Sequence, residues 1–256
     1  MKVRRPKALL LDIEGTITAI DFVRKTLFEF VKHNLESYLK FEANADELKA
    51  DIALLRQDSL ALRSLKPEYA DIPLIEDQEF ANDEEIRAAV VANVLWQMSK
   101  DLKTRGLKQF QGHMWRVGYA NGVLKAHIFE DVPLMLSKWK DIYDIDYYIY
   151  SSGSVEAQKL LLANTINGDL LHLFSGFFDT AVGAKVESES YFNILKALNL
   201  NGDQVLFLTD VAKEAEAASN AGMNCLIVIR EGNSPLDEEI LTRYKTIHSF
   251  EELEFV

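Results

Sequence analysis

Four short apolar runs, each reaching a polar residue, set the frame for any fold of this chain. They are Ala8 to Ile13, which carries Asp12 near its end, Tyr147 to Tyr150 before Ser151, Val205 to Leu208 before Thr209, and Leu226 to Ile229 before Arg230. Their length and bulky or β-branched content predict parallel strands covered on both faces. The segments between the later runs have helical periodicity. Val155 to Leu162 follows Ser154, a suitable N-cap, and Val211 to Ala221, rich in Ala, Glu and Lys, stops at Gly222. Alternating β and α segments predict an α/β fold with a doubly wound, mainly parallel, Rossmann-like sheet.

Between Asp21 and about Leu124 the alternation disappears. Phe22 to Phe41, Ala45 to Arg63, Asp83 to Lys103 and Thr104 to Tyr119 each read as amphipathic helix, with Asn82 a good cap before Asp83-Glu84-Glu85. Lys66 to Phe80, with Pro67 and Pro73, reads as a loop-rich break. An all-helical block placed directly after the first strand predicts a cap domain, residues 21–124, inserted into a core of residues 1–20 and 125–256. At 256 residues the chain has room for both modules.

Composition excludes several function classes. Lys+Arg 28 against Asp+Glu 40 gives a net charge of -12, which disfavours nucleic acid as a partner, because basic side chains dominate affinity for its phosphates. A small anionic substrate remains compatible, since local cations and backbone donors outweigh net charge at a site. No apolar run approaches the roughly 20 residues that cross a bilayer, and Met1 to Lys7 does not lead into a signal-peptide pattern. The single cysteine, Cys225, allows no intramolecular disulfide and reads as a small buried hydrophobe. A reducing compartment is expected, the cytoplasm and, in a eukaryote, also the nucleus.

The run Leu9-Leu10-Leu11-Asp12-Ile13-Glu14-Gly15-Thr16 joins a strand to two carboxylates, a glycine turn and a hydroxyl. Open α/β sheets place ligands outside the carboxyl ends of their strands, where Asp12 would sit. Asp12 is a candidate nucleophile on phosphorus, forming an aspartyl-phosphate and dividing a very slow hydrolysis into two easier steps. Glu14 could protonate the leaving oxygen and later deprotonate water, and Gly15 lets backbone approach a phosphate. Taken alone, the run could equally be a strand ending in a solvated acidic turn.

Ser151-Ser152-Gly153-Ser154 lies between a strand and a helix, where hydroxyls and free N–H groups converge on an anion, although helix capping would use the same residues. Lys185 could neutralise the nucleophile and a transferring phosphoryl group, or be an ordinary surface lysine. Asp210 follows the strand at Val205, and Glu214 comes one helical turn later. Asp12, the Glu14 carbonyl and Asp210 form a sensible oxygen set for Mg²⁺, with Glu214 nearby. Acidic helix starts favoured by the helix dipole would explain one such position, but not their recurrence at successive strand ends.

Asp12-x-Glu14-Gly-Thr, Ser151, Lys185 and Asp210-x-x-x-Glu214 stand in the order of the four motifs of the haloacid dehalogenase-like hydrolases, and the chain resembles that superfamily. Longer strings resemble the enolase-phosphatase (acireductone synthase) family of methionine salvage. They include Trp96-Gln97-Met98-Ser99, Gln111-Gly112-His113-Met114-Trp115-Arg116, Tyr150 to Gln158 and Lys185 to Tyr191. Glu rather than Asp at position 14 is a further similarity. The resemblance implies one Mg²⁺ per subunit at Asp12, Glu14 and Asp210, catalytic roles for Asp12, Glu14 and Lys185, and substrate or phosphate binding by Gly15, Ser151, Ser152 and Lys185. It also implies a HAD-like core with the helical block as cap, and a monomer. The implied reaction converts 2,3-diketo-5-methylthiopentyl 1-phosphate through its enol phosphate to an acireductone and phosphate. Enolisation needs a base beside a polarised carbonyl, either Glu14 or a cap residue. Gln109, His113 and Arg116, at i, i+4 and i+7, form a polar stripe that could face substrate or be structural. Trp96, Trp115 and Met98 read chiefly as cap core. The chain has Ile17-Thr18-Ala19-Ile20 where the family often has a Thr-Thr-Pro-Ile type of sequence, a change at the entry to the helical block.

Two other readings stay open on the motifs. One is a capped phosphatase or phosphomutase acting on another small phosphorylated metabolite; a dehalogenase fits Lys185, Asp210 and Glu214 less well. The other is a phospho-accepting signalling module, which would need neither the helical insertion nor the glycine turn.

Overall fold

The computed structural model describes residues 1–40, 45–77 and 81–256. Along the chain run β1 (Lys2–Val3), β2 (Ala8–Leu11), α1 (Ile20–Phe22), α2 (Phe28–Tyr38), α3 (Ala45–Leu65), α4 (Asp83–Ser99), α5 (Arg105–Ala120), α6 (Asp131–Tyr143) and β3 (Asp146–Tyr150). They are followed by α7 (Val155–Ala163), β4 (Gly176–Phe178), α8 (Ser188–Leu198), β5 (Val205–Thr209), α9 (Ala212–Asn220), β6 (Asn224–Val228), α10 (Glu238–Arg243), β7 (Thr246–Ile247) and β8 (Glu254–Phe255). The chain divides into two compact units, one of residues Met1–Thr26 with Gly122–Val256 and one of Leu27–Asn121.

The first unit is built on a six-stranded sheet in the order β4-β3-β2-β5-β6-β7, with every neighbouring pair parallel. The strands of the centre are buried along their whole length in β2 and β5, which is why they read as continuous apolar runs. On one face Leu10, Tyr150, Tyr191, Ile194 and Phe207 pack with Ala217 and Ala218 of α9. Strand order turns back at β2: the chain adds β3 and β4 on one side and β5, β6 and β7 on the other. Such a reversal opens a crevice at the carboxyl ends of the central strands.

Sequence pattern anticipated the four long strands within about two residues. The short ones, β1, β4, β7 and β8, are two or three residues each and carry too few positions for a periodicity to register. β1 pairs parallel with β8, so Val3 lies opposite Phe255, whose ring stands 4.9 Å from that of Trp139. β2 ends at Leu11 rather than Ile13, because the Ile13 carbonyl turns to accept the N–H groups of Thr16, Ile17 and Thr18. Cys225, expected inside, is half-buried in β6, and burial raises its thiol pKa to about 11.

The second unit is helical. Asn82 caps α4 with a reciprocal capping box: its side chain accepts from the N–H groups of Glu84 and Glu85, and Glu85 accepts from the Asn82 N–H. α4 stops at Ser99, short of the expected Lys103, where Asp101 takes a left-handed conformation with φ 50. Helicity from Ile20 to Tyr38 passes through a π-helical stretch at Val23–Leu27; its expected end at Phe41 lies outside the described residues, as does the end of the expected loop at Gln78 to Phe80. Val31, Leu35, Leu55, Val90, Val94, Phe110 and Met114 form the core, with Met98 and Trp115 packed against it. Trp96 is half-buried, donating to Asp71 at 3.2 Å.

A buried polar chain crosses this unit. Asn93 Nδ2 donates to Ser59 Oγ and to the Pro73 carbonyl, each at 2.6 Å, and Asn93 Oδ1 accepts from Gln97 Nε2 at 2.7 Å. Gln97 Oε1 in turn accepts from the Thr104 hydroxyl at 2.7 Å. Burying these groups is tolerable only because each finds a partner. Asn93→Ala should therefore cost about 1–3 kcal/mol for each strongly buried group it orphans, read as a lowered denaturation midpoint, whereas an Ala at exposed Ser99 should change it by less than about 0.5 kcal/mol.

Candidate active site

The register between strands brings the acidic positions together. Leu11 of β2 lies opposite Ile149 of β3 and Leu208 of β5, so Asp12, one residue on from Leu11, and Ser151 and Asp210, each two residues on from its partner, emerge at adjoining strand ends. The Asp12 N–H continues the ladder to the Leu208 carbonyl at 3.0 Å. Asp12 is buried, and its Oδ1 accepts the Ile13 N–H at 2.8 Å.

Lys185 reaches the same oxygen. Its Nζ stands 2.5 Å from Asp12 Oδ1 and 2.8 Å from Glu214 Oε2, and its side chain is only 10% exposed. Burial opposes the ammonium charge, but the flanking carboxylates of Asp12 and Glu214 outweigh it and raise the Lys185 pKa. Glu214 is itself oriented by the Thr209 hydroxyl at 2.9 Å. The loop carrying Lys185 is held by Tyr191, whose hydroxyl donates to the Lys185 carbonyl at 2.7 Å, and by Tyr150, whose hydroxyl donates to the Gly183 carbonyl at 3.0 Å. These two tyrosines were not singled out from the sequence, where Tyr150 reads as the end of a buried strand and Tyr191 stands only within the string that begins at Lys185.

Gly15 takes φ +73, and a Cβ there would run into the Asp210 carboxylate. The glycine is required both for the turn and for the close approach of Asp210. Burial and the negative charges of Asp12 and Glu214 raise the pKa of Asp210, with Lys185 opposing; the Glu214 pKa is raised in the same way by burial and Asp12. Three carboxylates around one ammonium leave a local excess of negative charge. Among the described residues no group of three His, Cys, Asp or Glu side chains is gathered as a metal cage. The carboxylates of Asp12 and Asp210 are nevertheless hard oxygen donors of the kind that magnesium takes together with water and substrate, so they fit that ion.

Ser151 is buried, its N–H donating to the Phe178 carbonyl at 3.2 Å and its Oγ facing the Gly153 N–H at 3.4 Å. Ser152 is half-buried on the same turn. Ser154 caps α7 through the Ala157 N–H at 3.2 Å, so of the four residues this one has the capping role.

A loop after β6 braces the turn at Gly15 and was not anticipated. Arg230 donates to the Thr16 carbonyl at 3.2 Å and to Asp131 at 2.8 Å, with its guanidinium 4.3 Å from the Phe129 ring centroid. Asn233 donates to the Gly15 carbonyl at 2.9 Å. The only sequence signal was Arg230 standing at the end of an apolar run.

The polar stripe of α5 lies in the helical unit and faces α3. His113 Nδ1 is 2.7 Å from Asp51, Gln109 donates to Asp51 at 2.8 Å, and Arg116 pairs with Glu47. Asp51 is fully buried, which accounts for Gln109 and His113 both converging on it. The hydrogen bond to Asp51 raises the His113 pKa against the cost of burial, helped by the charges of Asp51 and Glu47 and opposed by Arg116.

At the entry to the helical block, the Ala19 N–H donates to His127 Nδ1 at 3.2 Å, a bond that a proline at 19 could not make. The Thr18 hydroxyl donates to the His127 carbonyl at 2.7 Å. Burial, with Arg230 nearby, lowers the His127 pKa.

A profile of the haloacid dehalogenase-like hydrolases matches residues 6–222, and the chain belongs to that family. Its relatives within the family are more specific. Enolase-phosphatase E1 of Danio rerio is 45% identical over 251 residues, covering 98% of this chain and 95% of its own length. Enolase-phosphatase E1 of Acyrthosiphon pisum is 40% identical over 245 residues, with 96% of each chain covered. The crystal structure of the UTR4 protein of Saccharomyces cerevisiae superposes with a TM-score of 0.75 at 30% identity, covering 96% of this chain and 99% of that one. At these identities over nearly full length, this hydrolase is one of the enolase-phosphatases.

The two histidines should titrate on opposite sides of the ordinary value of 6.5, His113 above it and His127 below, in ring ¹H–¹⁵N NMR spectra recorded against pH. The signs for stability follow. The His113 contribution is complete below pH 6.5 and is lost as pH rises through its raised pKa, whereas the His127 contribution is complete above pH 6.5 and is lost as pH falls toward its lowered one. His113→Gln should therefore abolish the first dependence and leave the second.

Proposed function

We propose that the chain is a magnesium-dependent enolase-phosphatase of methionine salvage, which converts 2,3-diketo-5-methylthiopentyl 1-phosphate to the acireductone 1,2-dihydroxy-3-keto-5-methylthiopentene and phosphate. The observation that carries the phosphatase half is Asp12 held by Lys185 at the carboxyl end of β2, with Asp210 packed on Gly15 beside it. The two fixed bonds to Asp12 both fall on Oδ1, so Oδ2 is the oxygen that attacks phosphorus. The bond from phosphorus to the enol oxygen breaks as the aspartyl bond forms, and Glu14 gives its proton to the departing oxygen. Glu14 then takes a proton from water, which attacks the aspartyl-phosphate and frees phosphate. Lys185, kept protonated between Asp12 and Glu214, places positive charge beside the transferring group. Ser151 and Ser152 hold phosphate oxygens at the end of β3.

One magnesium per subunit would be held by Asp12, the Glu14 carbonyl and Asp210; when bound, it offsets the repulsion between the anionic nucleophile and the phosphoryl group. The enolase half removes a proton from C1 of the diketone and delivers one to the neighbouring carbonyl oxygen. Glu14 is the better base for this step. The Asp51 bond favours the imidazolium of His113, the form that cannot accept a proton. The helical unit is proposed as the cap domain, and the working form as a monomer.

An anaerobic assay with Mg²⁺ and a 2,3-diketo 1-phosphate, following enediol absorbance and phosphate together, should show both signals, and EDTA should remove both. Asp12→Asn should reduce phosphate release by roughly 10³–10⁶-fold, the range for loss of a nucleophile. Hydrolysis of simple phosphate esters without reaction of the diketone would assign the site to another phosphorylated metabolite.

A further inference from the structure

The loop after β6 holds one polar atom that neither the fold nor the chemistry above uses. Asn233 donates from Nδ2 to two main-chain carbonyls, those of Gly15 at 2.9 Å and Val228 at 3.2 Å. Only the NH₂ end of an amide can serve two carbonyls, so the opposite end is an oxygen on chemical grounds. That Oδ1 is buried and has no hydrogen-bond partner. A buried carbonyl-type oxygen without a donor is rare in native proteins and calls for a missing partner.

Its position indicates the kind of partner. The point beside Gly15 where a Cβ would stand lies 2.9 Å from Asn233 Oδ1 and is also in contact with the Asp210 carboxylate. Two acceptors thus approach the same side of the Gly15 turn. Between them only a donor or a cation can be accommodated, and a donor bound to a cation suits both. Magnesium keeps several of its waters when bound by protein, and those waters become strong donors that need acceptors.

We propose that Asn233 is a positioning residue of the cation site: Nδ2 pins the Gly15 peptide, and Oδ1 accepts a hydrogen bond from a water carried by the divalent cation at Asp210. The inference rests on the magnesium reading of the site given above. It makes the strand-end loop after β6 a participant in metal affinity, although that loop supplies no charged ligand. Arg230, three residues earlier, fixes the loop to Thr16 and Asp131, which keeps the amide in place.

The test is calorimetric titration of the metal-free protein with MgCl₂, together with its thermal midpoint, in the wild type, Asn233→Ala, Asn233→Asp and Ser234→Asp. Asn233→Ala should weaken magnesium about 10–100-fold, the usual effect of removing a group that orients a metal's surroundings. Asn233→Asp keeps an acceptor but loses the donor, so it should bind magnesium within about threefold of wild type, once the charge effect measured with Ser234→Asp is subtracted. Both Asn233 variants should lose thermal stability alike, since both lose the bonds to Gly15 and Val228. Equal weakening in the Ala and Asp variants would overturn the proposal and leave Asn233 a loop brace only, as would an Ala variant that binds magnesium like the wild type. Wild-type protein that takes up no magnesium would overturn the cation reading itself, and this inference with it.

Discussion

Everything at the site depends on the parallel pairing of β2 with both β3 and β5. Because the central strand has a neighbour on each side in fixed register, Asp12, Ser151 and Asp210 come to one edge of the sheet without any contact between their side chains being needed to bring them there. A slip of one residue in either pairing would turn the strand's side chains to the opposite face, which the burial of β2 and β5 on both sides makes costly. The sheet thus holds like charges together against their repulsion.

That repulsion is managed locally. Lys185 lies between Asp12 and Glu214, out of water, where a single ammonium partly neutralises two carboxylates. Removing one member of such a buried group leaves the others uncompensated, which is far more destabilising than the group as a whole is stabilising. The bracing around it is layered: Tyr191 and Tyr150 hold the Lys185 loop, Thr209 holds Glu214, and Arg230 and Asn233 hold the carbonyls of Thr16 and Gly15. Preorganised charge of this kind is what phosphoryl transfer requires, because the reacting atoms need positioning and electrostatic support more than new covalent chemistry.

Legibility in the sequence followed the range of the interactions. Asn82, Ser154 and Thr104 were readable as caps, or placed at helix starts, because capping is decided within three residues. The stripe of Gln109, His113 and Arg116 was readable as a polar face, yet its partner was not: Asp51 lies 62 residues from His113 and belongs to another helix. The aromatic residues at 150 and 191 gave the same apolar signal whether or not their hydroxyls were needed. Arg230 and Asn233 depend on contacts with carbonyls more than 200 residues away, which leave no trace in local pattern.

The amino-acid sequence by itself determined the alternation of buried strands and capped helices, the helical interruption after the first strand, and the residue types at the strand ends. Those are short-range properties, set by side-chain period, capping and burial preference. Tertiary structure decided which strand ends are neighbours, which oxygen of Asp12 is held, that Lys185 stands between two acids, and that Asn233 presents an unpaired oxygen beside Gly15. Each of these depends on the distance between residues remote in the chain, and only the packed sheet sets such distances.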